Sequence, residues 1–154
     1  MVSKKQLDLL VSQVEDAKNK GAKIILGGNS LGKELGGAFF EPTIITEVTR
    51  DMQIWNQEVF GPVLPVVKFT NEAQAIDLAN DTEYGLGSYI YTNDDQKAQR
   101  VSKQINTGMV SVNNTNYLQP SNPFGGFKAS GIGRQHGKYG FSEVTQIKVV
   151  ARGK

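Results

Sequence analysis

Val63-Leu64-Pro65-Val66-Val67-Lys68-Phe69, Leu86-Gly87-Ser88-Tyr89-Ile90-Tyr91 and Met109-Val110-Ser111-Val112-Asn113 decide the fold class. Each is a short, largely apolar run of strand length, rich in β-branched or aromatic residues. After the first run, Asn71 caps a segment with Ala75, Ile76, Leu78 and Ala79 at helical spacing. After the second, residues 94 to 105 put Ala98, Val101 and Ile105 on one helix face, and Gly108 closes it. The order is strand, helix, strand, helix, strand. Crossovers of about a dozen residues favour parallel pairing, with right-handed connections. The expected architecture is α/β: an open, mostly parallel sheet with helices on both faces.

Upstream, Ser3 and Gln6 have the spacing of a capping box, and Leu7, Leu10, Val11, Val14 and Ala17 recur on one face before Gly21. Ala22-Lys23-Ile24-Ile25-Leu26 predicts a short buried strand, and residues 27 to 37, with five glycines, a surface loop. Residues 38 to 45 predict a second extended segment that Pro42 marks as an edge or a break. Asp51-Met52-Gln53-Ile54-Trp55 predicts a helical turn. Downstream, residues 114 to 133 form a long loop holding Pro120, Pro123, Gly125, Gly126, Gly131 and Gly133, with Leu118, Phe124 and Phe127 among them. A loop of that length inside a domain is usually functional or disordered. A helix at about 134 to 143 and a last strand, Gln146-Ile147-Lys148-Val149-Val150, follow.

The 154 residues fit one domain, and 17 Lys and Arg against 15 Asp and Glu leave a net charge of +2. So balanced a charge gives no support to a nucleic-acid or membrane-surface partner. No run approaches the roughly 18 apolar residues of a membrane span. The first residues carry no apolar signal core, so the expected address is cytoplasmic. Cysteine is absent, which excludes disulfides, thiolate metal sites and a cysteine nucleophile within these residues.

Several segments could carry chemistry. Gly131-Ile132-Gly133-Arg134-Gln135-His136-Gly137 looks like a dinucleotide loop, but its third glycine is one place late and no apolar strand precedes it. His136 is the single histidine, without neighbouring carboxylates to complete a metal site, and is expected as an exposed helix residue. Glu58-Val59-Phe60-Gly61-Pro62-Val63 is either a plain turn or a carboxylate acceptor for ligand hydroxyls beside an aromatic face. Leu118 and Phe124 either pin the loop to the core or line an apolar pocket. Gly125-Gly126 implies that something approaches the backbone closely.

Three segments in order resemble the aldehyde dehydrogenase superfamily: Glu58–Val63, Asn80-Asp81-Thr82-Glu83-Tyr84-Gly85-Leu86, and Pro123-Phe124-Gly125-Gly126-Phe127-Lys128-Ala129-Ser130-Gly131-Ile132-Gly133-Arg134, with Gly108–Asn113 between the last two. The resemblance covers essentially the whole chain. It implies that residues 1–144 are the C-terminal portion of a catalytic domain, and that 145–154 are a C-terminal strand of an oligomerisation sheet and a tail. The family's coenzyme domain, cysteine nucleophile, general-base glutamate and oxyanion asparagine would lie upstream. By position, Glu58 resembles the residue that binds the nicotinamide ribose and Phe60 the aromatic beside the nicotinamide. Gln57 stands where many members have a second acid. Phe124 and Leu118 match substrate-pocket positions, Leu118 being aromatic in some members, and Lys128 and Arg134 match structural positions. The resemblance implies oxidation of an aldehyde with NAD or NADP in a homo-oligomer. Residues 51 to 55 and the long loop are similar to the succinate-semialdehyde branch. No catalytic residue of the family falls in this chain. Two other readings stand beside it: a stand-alone dimerisation or partner-binding module, and an independent nucleotide-binding domain, against which the glycine spacing speaks.

Overall fold

The computed structural model describes residues 1–153; Lys154, the end of the tail expected over 145–154, lies outside the described residues. The chain divides into two units, Met1–Thr70 and the residues from Asn71 onward. Both mix helices and strands, as the sequence predicts.

The first unit holds α1 (Lys4–Asn19), β1 (Lys23–Leu26), α2 (Gly32–Leu35), β2 (Thr43–Thr46), α3 (Gln53–Asn56) and β3 (Val63–Val66). The Ser3 hydroxyl accepts from the Gln6 amide at 3.2 Å and starts α1 where the sequence places it. The strands form one sheet in the order β1-β2-β3, antiparallel between β1 and β2 and parallel between β2 and β3. Leu7, Leu10, Val14 and Ala17 of α1 pack with Ile45, Met52, Ile54 and Val63 as its core. In register, Ile24, Ile45 and Pro65 share one face, and Leu26, Ile44 and Leu64 the other. The first face is covered; on the second, Leu26 and Leu64 are 56% and 58% exposed.

The second unit holds α4 (Glu72–Asn80), β4 (Tyr84–Gly85), β5 (Gly87–Ile90), α5 (Asp95–Ser102), β6 (Met109–Val112), β7 (Phe127–Lys128) and α6 (Gly137–Glu143). Asn71 caps α4 through the Gln74 amide, and Asp94 caps α5 through the Lys97 amide, each at 2.9 Å. Arg100 of α5 makes two parallel 2.7 Å bonds to the Glu72 carboxylate of α4. β5 and β6 pair in parallel across α5, as the crossover length predicts. β4 pairs antiparallel with β7.

Three details differ from the sequence expectation. The run 63–69 leaves its ladder at Val66 and pairs with β2, so it is not the first strand of a series leading through β5 and β6. Spacing along the chain fixes how two strands can be connected; which free edge a strand takes is set by tertiary packing. The helix expected from residue 134 starts at Gly137, because Gln135 is bridged to Phe124 and His136 has φ 61° and ψ 170°. Among the described residues, Gln146–Val150 makes no ladder, and Ile147 and Val149 are 98% and 86% exposed. A strand requires a hydrogen-bonding neighbour, and apolar alternation alone does not provide one.

Leu10 is 1% exposed and sits at the centre of the first unit's core. Leu10→Ala is expected to cost about 2–5 kcal/mol through lost burial and the cavity left behind. A lowered urea midpoint at unchanged slope checks this.

Candidate functional site

Glu58 and Phe60 lie in the first unit, Leu118 and Phe124 in the second. Glu58 and Phe60 stand on the turn between α3 and β3. Glu58 is exposed and Phe60 is 64% exposed, two residues apart. The turn itself is fixed from α1. Gln13 is 1% exposed, and its amide nitrogen donates to the Gln57 side-chain oxygen and to the Glu58 carbonyl, each at 3.2 Å. Gly61 completes the fit: a Cβ there would lie 2.5 Å from Cδ2 of Leu10.

One helical turn further on, Asp16 Oδ2 accepts from the Gln53 amide at 2.7 Å, and Oδ1 lies 3.0 Å from the Lys20 ammonium. The Gln53 N–H, then Lys20, holds the Asp16 carboxyl below its ordinary range. The carboxylate thus serves the first turn of α3, where anionic acceptors are favoured.

In the second unit, Leu118 is 59% exposed on the loop after β6. Phe124 is half-buried and exchanges two backbone hydrogen bonds with Gln135, of 2.8 and 2.7 Å. Its ring lies 5.9 Å from that of His136. His136 is exposed as expected, but at the N-terminal flank of α6 instead of inside a helix. Phe124, Ile132, Arg134, His136 and Phe141 line an open cleft of about 950 Å³, and Leu118 does not reach it.

The glycines and cations of this region hold the backbone. A Cβ at Gly125 would lie 2.6 Å from the Gly133 carbonyl oxygen and one at Gly126 2.6 Å from Ser130 Cβ, the close approach that Gly125-Gly126 implies, and a Cβ at Gly108 would overlap the Gly125 carbonyl. Arg134 Nη1 donates to the Gly126 and Gly133 carbonyls at 3.1 and 2.6 Å, and its guanidinium lies 5.3 Å from the Phe127 ring centre. Lys128 Nζ donates to the Asn80 and Thr82 carbonyls, both at 2.9 Å. Among the described residues, no three His, Asp or Glu side chains cluster as metal ligands. No helix among them is long and apolar enough to cross a membrane.

Sequence periodicity passed over Gln13. The signal was available: a polar residue three after Leu10 and four before Ala17 lies on the buried face of α1.

Residues 1–150 match the aldehyde dehydrogenase family model. The chain belongs to that family. It is 41% identical over 153 residues to 3-sulfolactaldehyde dehydrogenase of Pseudomonas putida, covering 99% of this chain and 31% of that protein. It is 42% identical to the mitochondrial succinate-semialdehyde dehydrogenase of Mus musculus, covering 99% and 29%. The structure of the P. syringae indole-3-acetaldehyde dehydrogenase AldA in complex with NAD+ and IAA superposes with a TM-score of 0.90 at 36% identity, over 96% of this chain and 30% of that one. The chain therefore spans about 30% of the length of the family members it matches.

Asp16→Asn removes a carboxylate whose ionised form the fold favours. Because its pKa is depressed in the folded state, the stability it contributes is complete above the unfolded value, near 3.8, and is lost as pH falls through the lower folded one. The variant is expected to show a shallower loss of stability than the parent chain below about pH 4. Thermal melts across that range check it.

Proposed function

We propose that this chain is the C-terminal part of the catalytic domain of an NAD- or NADP-dependent aldehyde dehydrogenase, over residues 1–144, with an oligomerisation strand and tail over 145–154. The complete enzyme is a cytoplasmic homo-oligomer that oxidises an aldehyde, succinate semialdehyde among the candidates, to the carboxylic acid through a cysteine thioester. The observation that carries this reading is the turn at Glu58 and Phe60. It offers a carboxylate with no hydrogen bond or ion pair among the described residues, beside an aromatic face open to solvent, on a backbone that a buried amide holds still.

That donor set fits a nicotinamide coenzyme. The Glu58 carboxylate has the lone pairs to accept two adjacent ribose hydroxyls. The Phe60 ring gives a flat apolar face against the nicotinamide and keeps water from it. When bound, the coenzyme supplies the hydride acceptor. Phe124 and Leu118 pack the carbon chain of the aldehyde and orient its carbonyl. These residues hold and exclude; none is a nucleophile or a general base. Family members of similar identity are named for sulfonated and carboxylated aldehydes, which supports the aldehyde class more than any one member of it.

The chain by itself is expected to reduce no NAD or NADP with any aldehyde, because it contains no thiol. In the complete polypeptide, Glu58→Gln is expected to raise the coenzyme KM about tenfold or more, as loss of a charged acceptor does. Steady-state NADH production measures both. Turnover by the isolated chain, or an unchanged coenzyme KM in the variant, would overturn the reading.

A further inference from the structure

Tyr89 lies on β5 and Tyr117 in the loop that follows β6. Tyr89 Oη donates to Tyr117 Oη at 2.7 Å, and the two rings lie 5.3 Å apart with planes inclined by 32°. The Tyr117 ring crosses over Gly87: a Cβ there would stand 3.0 Å from the Tyr117 hydroxyl and 3.2 Å from Cζ.

The loop is fastened on both sides of this pair. At its start, Asn113 joins the turn after β5 by two bonds with Thr92, of 2.9 and 2.7 Å. Asn114 Oδ1 accepts from the Ser111 hydroxyl at 2.6 Å and the Asn116 amide at 2.7 Å. Beyond it, the Tyr117 carbonyl accepts from the Gln119 amide at 3.0 Å and from the Asn122 side chain at 3.3 Å. Between those anchors the Tyr117 ring is the element that ties the loop to the strands. Leu118 is the next residue, with its side chain 59% exposed. The loop leaves from the carboxyl end of β6, and Tyr117 reaches back across β5 to Gly87, that strand's first residue.

We propose that Tyr117, latched by Tyr89, is a positioning residue that sets where Leu118 stands in the aldehyde pocket and so how well long-chain aldehydes bind. The proposal rests on the aldehyde dehydrogenase reading above. Neither tyrosine touches the reacting carbon. The pair fixes a loop of Asn, Thr, Gln, Pro and Ser that has few apolar contacts of its own, and thereby gives one leucine a defined place.

Tyr89→Phe and Tyr117→Phe keep the rings and remove one hydroxyl each. In the isolated chain, each is expected to speed amide hydrogen exchange at Gln119 and Asn122 about two- to tenfold, the span of one neutral hydrogen bond. The double variant is expected to add little, since either single change already breaks the pair. In the complete enzyme, either change is expected to raise the KM for hexanal relative to acetaldehyde about two- to tenfold, with the effect in KM and not in kcat. Unchanged exchange in both single variants overturns the latch. Faster exchange with an unchanged hexanal-to-acetaldehyde KM ratio overturns the role in specificity while leaving the latch in place. A parent enzyme without dehydrogenase activity overturns the functional reading, and with it the specificity role, whatever the exchange result.

Discussion

The amide of Gln13 is buried, at 1% exposure. It donates to the Gln57 side chain and the Glu58 carbonyl. An orphaned buried donor costs about 1–3 kcal/mol, so α1 and the turn at 57–58 can hardly move apart. Asp16, three residues along the same helix, holds the first amide of α3. Two polar side chains on one helix therefore hold both ends of α3: Asp16 its first amide, and Gln13 the residues that follow it toward β3. The apolar residues of α1 supply the cohesion of the first unit. Cohesion alone would allow the turn several positions of similar energy; the two directional bonds select one.

The second unit reaches the same end with glycines and cations. Arg134 and Lys128 each direct their donors to two main-chain carbonyls. Charge-assisted bonds to neutral carbonyls are stronger than neutral ones, so both side chains brace the main chain around them. Gly108 and Gly125 let two backbone segments meet where any side chain would collide. The backbone that carries Phe124 is consequently fixed on one side by Gln135, and its successor Gly125 by this glycine contact.

Local features of the fold were legible in the sequence. Ser3 and Asn71 cap their helices because each is a short polar side chain ahead of an apolar periodic run. The parallel pairing of β5 with β6 follows from the length of the connection through α5. Pairings decided by tertiary packing were not legible. Nothing in Val63-Leu64-Pro65-Val66 says that its partner is β2. Residues 134 to 136 have helical composition, but the Phe124–Gln135 bridge claims their backbone first. The four candidate site residues came from ordered family motifs, since spacing around Glu58 or Leu118 fits an ordinary turn or loop equally well. Gln13 could be found only by asking why an amide occupies an apolar helix position.

The residues proposed to meet coenzyme and aldehyde differ in kind from those that support them. Glu58, Phe60 and Leu118 are exposed side chains on held backbone. Gln13, Asp16, Gly108 and Gly125 are committed to main-chain contacts and have no freedom left for a ligand. This division is what preorganisation requires: a side chain can present a constant face only if the atoms behind it are fixed by interactions independent of the ligand. It also explains why sequence reading finds the two groups by different routes. Glu58, Phe60 and Phe124 belong to recurring motifs, whereas a support such as Gln13 is recognised by its conflict with local expectation, as a polar group on a buried face. Tyr89 and Tyr117 stand between these classes, half-exposed but paired with each other. That is the position from which a fold can adjust the place of a pocket residue without altering the residue itself.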